Sequence, residues 1–121
     1  MGYRYFHDAV QRCLYRQSDV PEVFPKQASG KLAGWRIRLE IDVVRADNWV
    51  NSQGRWNFET SEYPDQFFDS LRYSRDDALR YFIERNSAER KSTSTEEIDE
   101  TRYEQFKAVY SAEARANRGA S

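Results

Sequence analysis

Residues 35–44 read WRIRLEIDVV, and their alternation decides the fold class. Trp35, Ile37, Leu39, Ile41 and Val43 fall on one side of a period of two; Arg36, Arg38, Glu40 and Asp42 fall on the other. That period over this length predicts a β-strand with one buried face. The second face carries charges of both signs, as the wet side of an antiparallel sheet does.

Downstream, RADNWVNSQG (45–54) is rich in turn residues, with Asp47-Asn48 and then Asn51-Ser52-Gln53-Gly54. The segment that follows puts Trp56 and Phe58 on one side and Arg55, Asn57 and Glu59 on the other. It predicts a second strand, so the two strands form a hairpin over about 35–59. Two strands are marginal alone, so helices must cover the apolar face or a third strand near 67–72 must join.

Upstream, Phe6, Val10, Cys13 and Leu14 recur at helical spacing, which predicts a helix over 3–16 with His7 and Asp8 on its polar face. Residues 18–34, interrupted by Pro21 and Pro25, read as a loop, with Val23 and Phe24 anchoring it to the core. Ser74, Asp76 and Asp77 open a helix over 75–86, whose stripe is Ala78, Leu79, Phe82 and Ile83 and whose stop is Asn86. A last helix is expected from Ser94 or Thr95, with Tyr103, Phe106, Val109 and Tyr110 on its sticky face and a frayed tail over 112–121. The expected fold is therefore α+β: one small antiparallel sheet packed against an N-terminal helix and one or two C-terminal helices, in a single domain spanning 1–121.

The composition fits that scale. A chain of 121 residues can bury a core without disulfides or metals. Mean hydropathy is low, at −0.96, but 15% of the residues are aromatic, and each aromatic side chain buries a large area. A net charge of −1 with 32% charged residues gives no global bias toward nucleic acid. Cys13 is the only cysteine, which excludes an internal disulfide framework and a cysteine-cluster metal site. MGYRYFHDAV has no apolar run after a basic start, and no stretch approaches the roughly 18 apolar residues of a membrane span. A cytoplasmic location without membrane contact is the expectation.

Catalytic chemistry finds little support in the residue types. His7 is the only histidine, and it reads as a solvated side chain on a helix. Cys13 falls on an apolar stripe, where a structural thiol is the ordinary case. Asp76/Asp77, Glu96/Glu97 and Asp99/Glu100 are neighbours at helix starts rather than carboxylates facing across a cleft. Glycines 30, 34 and 54 make no phosphate-cradling run. No catalytic residue, cofactor or metal is expected.

What remains is arginine interleaved with aromatics. The expected function is a non-catalytic protein-binding or regulatory module of the kind mobile elements encode, with a protein partner or a second copy of the chain. The contact residues are Arg36, Arg38, Arg55 and Trp49, joined by Tyr103 and Tyr110 if the last helix docks on a partner. Two alternatives use the same features. One is a nucleic-acid-binding module contacting phosphates through Arg36, Arg38 and Arg55. The other is an aromatic-lined pocket for a small ligand or a reaction of unassigned chemistry. Glu40 and Asp42 dilute the positive field beside Arg36 and Arg38, which favours a folded protein.

Overall fold

The computed structural model describes residues 2–28, 32–50, 53–54 and 56–120, leaving aside the side chains at 26–28, 32, 48–50, 56 and 117–120. The elements follow in the order β1 (Tyr3–Asp8), β2 (Cys13–Ser18), β3 (Glu22–Ala28), β4 (Leu32–Arg38), β5 (Ile41–Val50), β6 (Trp56–Glu62), β7 (Asp65–Asp69), α1 (Arg75–Asn86), a short 3-10 turn (Ala88–Arg90), β8 (Thr95–Ile98) and α2 (Glu100–Ala120). The class is α+β with small antiparallel sheets. One sheet has five strands in the order β6-β5-β2-β1-β8, and the other has three in the order β3-β4-β7.

The five-stranded sheet is covered on both faces. On one face Phe6, Cys13, Tyr15, Ile41 and Val43 share a core with Ile37 and Phe68 of the other sheet and with Ala78 and Phe82 of α1. On the other face Leu14, Val44 and Ala46 pack with Tyr103 and Tyr110 of α2. Burial on both sides is the physical reason the N-terminal helix gives way to a β-hairpin. Tyr3, Tyr5 and His7 alternate with Arg4, Phe6 and Asp8, but neither set reads as simply polar because both faces are covered. The apparent helical stripe relied on Val10, which sits at the hairpin tip and is 77% exposed. Asp8 closes that tip by accepting from the backbone N–H groups of Val10 and Gln11, while Arg12 takes a left-handed φ of 54°.

The segment 35–44 is two strands rather than one. The chain leaves the three-stranded sheet after Arg38 and enters the five-stranded sheet at Ile41. At the crossing, Leu39 donates its N–H to Pro64 and Glu40 accepts at its carbonyl from Ser18. Ile37, Leu39, Ile41 and Val43 enter the same core on both sides of the break, so the alternation runs through it unbroken. Val44 is buried as well, on the α2 side.

The hairpin partner of β5 is β6, and the third strand near 67–72 is present as β7, paired with β4. The expected loop at 18–34 contains β3 and the start of β4. β3 is an edge strand, which is where a sheet tolerates Pro25.

α1 begins and ends where its capping signals place it. Ser74 accepts from the Asp77 N–H, and the Asn86 side chain returns to the Phe82 carbonyl. The last helix starts later than expected. Thr95–Ile98 pairs with β1 as β8, and Asp99 accepts from the Arg102 N–H at the start of α2. Among the described residues no helix is long and apolar enough to cross a membrane.

Candidate functional site

The outer face of the three-stranded sheet is built from cross-strand rows. Antiparallel register places Glu22, Arg38 and Asp65 in one row and Phe24, Arg36 and Phe67 in the next. Side chains on one face alternate with those on the other, so Val23, Trp35, Ile37 and Phe68 turn inward to the core while these six turn outward. Each arginine therefore has a neighbour on both sides: two aromatics for Arg36, two carboxylates for Arg38.

Asp65 holds both arginines. Its Oδ1 accepts from Arg36 Nη1 at 3.1 Å, and its Oδ2 lies 3.5 Å from Arg38 Nη2. The Arg38 guanidinium also sits 6.0 Å over the Phe24 ring. These contacts fix two long side chains that would otherwise sample many rotamers. One donor is left over: Arg36 Nε is buried and has no hydrogen-bond partner. Phe24 is still 40% exposed, an open aromatic at the edge of the sheet.

Beside this face, where the two sheets diverge, lies a recess of about 470 Å³ lined by Tyr3, Ser18, Val20, Glu22, Arg38 and Glu40. Arg16 stacks on its Tyr3 wall at 4.4 Å, and Val20 in its lining is 66% exposed. Glu22 and Arg38 belong to both the sheet face and the recess, so the two form one continuous surface.

Of the residues singled out from sequence, the structure brings Arg36 and Arg38 together on this face. Glu40 lines the recess at the strand break. Asp42 lies in the other sheet, 5% exposed, where it pairs with Arg16 and accepts from Ser61 at 2.7 Å. Trp49 belongs to β5 opposite Asn57, with its side chain outside the described residues, as is Arg55 altogether. Tyr103 and Tyr110 are 1% and 5% exposed between α2 and the five-stranded sheet, away from Arg36 and Arg38. Phe67, Glu22 and Asp65 are further members of the face, and Phe24, expected to anchor the segment to the core with Val23, turns outward instead because it alternates with inward Val23 along β3. The alternation of Glu22 and Phe24 was the available signal, and Pro21 and Pro25 concealed it.

The titratable groups with strongly perturbed environments lie elsewhere. His7 is buried rather than solvated: its Nε2 is 2.8 Å from the Tyr110 hydroxyl and its ring stacks on Phe106 at 4.0 Å. Burial lowers its pKa below the ordinary value. The Cys13 thiol is buried, 3.2 Å from the Tyr15 hydroxyl, and burial pushes its pKa up, the reverse of what a nucleophilic thiolate needs. Asp8 is fully buried. Burial alone would raise its carboxyl, but hydrogen bonds from Gln11, Ser92, Ser94 and Val10 outweigh that and hold it at about 2. These bonds tie the β1–β2 turn to the segment before β8, an anchoring role. Among the described residues no group of three or more His, Cys, Asp and Glu side chains is placed to hold a metal ion.

The chain matches no protein-family model, no curated protein and no solved structure.

Proposed function

We propose that this chain is a non-catalytic protein-binding module whose contact surface is the outer face of the three-stranded sheet with its adjoining recess. The observation that carries this reading is the Phe24–Arg36–Phe67 row, an arginine set between two aromatics with a buried Nε left without an acceptor. Aromatics and arginine are the residue types that dominate protein interfaces. A buried donor with no acceptor is unfavourable by about 1–3 kcal/mol, so the position of Arg36 is not explained by the fold alone.

The charges point the same way. Asp65 bridges Arg36 and Arg38, and Glu22 stands opposite Arg38 in its row. A surface with interleaved signs favours register with a folded partner over attraction to a phosphate backbone. The test is a Phe24→Ser/Arg36→Glu variant against a Val109→Ser control, Val109 being exposed on α2. With folding checked by circular dichroism, the variant loses co-purifying protein and the control keeps it. Retention of every partner by the variant overturns the reading.

A further inference from the structure

A second cluster of cations lies at the carboxyl end of α1. A recess of about 220 Å³ is lined by Pro64, Arg85, Asn86, Ser87, Arg90 and Lys91. No carboxylate belongs to that lining. Arg90 also lines two neighbouring recesses.

The three cations differ in how they are engaged. Arg85 donates from Nη1 to the Tyr81 hydroxyl at 2.8 Å and lies 5.4 Å over the same ring, contacts that hold it without cancelling its charge. Lys91 pairs with Glu62 and lies 5.7 Å from the Tyr15 ring centroid. Arg90 has no carboxylate partner among the described residues. With Glu62 set against Lys91, two positive charges remain around the recess. The carboxyl end of a helix contributes roughly half a negative charge, which is smaller than the two positive charges that remain.

The floor is fixed. Ser87 is buried and donates to Gln17 at 3.3 Å, and the Ala88 N–H donates to the same Gln17 oxygen at 2.8 Å. The Ser87 N–H closes on the Ile83 carbonyl, and the Arg90 and Lys91 N–H groups close on Ser87 and Ala88. The backbone of the turn is thus rigid, and the ligand donors are the side chains.

We infer that this recess is a binding site for a small phosphate-bearing ligand, gripped by the guanidinium groups of Arg85 and Arg90 with Lys91 alongside. A guanidinium is a planar fork of donors that matches the oxygens of a phosphate group, which accepts several charge-assisted hydrogen bonds at once. A volume of about 220 Å³ admits a phosphate with a short organic substituent. The site shares no residue with the docking face and does not depend on it.

The test is an NMR titration of the full chain with inorganic phosphate at constant ionic strength, with sodium chloride as the matched control. The expected result is a saturable shift of the Arg85 and Arg90 Nε–H signals and the Ser87 amide, absent with chloride. Arg85→Gln and Arg90→Gln each weaken binding about tenfold, the loss of one charge-assisted contact, while Arg75→Gln changes nothing. Glycerol 3-phosphate binding more tightly than phosphate identifies an organic phosphate as the ligand; equal binding identifies the free anion. A shift that never saturates, that chloride reproduces, or that survives the Arg85→Gln/Arg90→Gln double variant overturns the assignment.

Discussion

Arg36 donates to Asp65 across neighbouring strands at 3.1 Å, yet its own Nε is buried without an acceptor. The pair places the guanidinium while leaving one of its donors unused. Partly exposed ion pairs contribute little to folding, about 0–1 kcal/mol. Asp65→Asn therefore lowers the urea midpoint only slightly, by the equivalent of about 1 kcal/mol or less. A larger loss would show that the pair serves the fold rather than the surface.

Gly34 controls the strand that carries both arginines. A Cβ there would meet the Phe68 carbonyl oxygen at 2.0 Å and the Phe67 ring at 2.9 Å. The clashing atom on β7 is backbone, so no side-chain rotation relieves it. Gly34→Ala is expected to destabilise by roughly 2–4 kcal/mol, read from chemical denaturation, and to loosen the β4–β7 pairing seen by amide exchange.

Asp8 makes stability acid-sensitive. Its carboxyl lies at about 2 in the fold against an ordinary 3.8, so the folded state favours the ionised form. That contribution, about 2 kcal/mol, is present above the unfolded value and is lost as pH falls from about 4 toward 2. Asp8→Ala removes this pH dependence. It also strands the Ser92 and Ser94 hydroxyls and two N–H groups, lowering neutral-pH stability by roughly 3 kcal/mol in denaturant titrations.

His7 acts at higher pH and with the opposite charge. Burial lowers its folded pKa below the ordinary 6.5, so the fold prefers neutral imidazole. The unfolded chain binds the proton more readily, and stability declines as pH falls from about 6.5 toward the lowered folded value. His7→Phe flattens the denaturation midpoint across that window. Tyr110→Phe, which removes the hydroxyl 2.8 Å from Nε2, lowers stability by about 1 kcal/mol at neutral pH.

How far these features were legible depends on what each residue answers to. α1 was readable to its caps, because Ser74 and Asn86 act within one turn of their own backbone. The class was readable from Ile37, Leu39, Ile41 and Val43, whose shared burial spans two strands. The break between those strands was not, because it is set by Pro64 and Ser18, distant in sequence. The N-terminal hairpin was misread because covered faces erase the polar alternation that marks a strand, and exposed Val10 completed a false helical stripe. Of the six residues on the proposed docking face, Arg36 and Arg38 were legible. The flanking Phe24 and Phe67 reach them through strand register, which the alternation around Phe24 does not by itself state.

The most direct test of the docking face is site-specific photo-crosslinking in extract of the native source. A benzophenone amino acid replaces Val20, in the lining of the recess, or Val10, at the hairpin tip; both side chains are exposed. The docking face predicts a discrete protein adduct from the Val20 position, lost on Arg36→Glu, and none from Val10. Equal adducts from both positions, a nucleic-acid adduct, or no adduct at Val20 would contradict it.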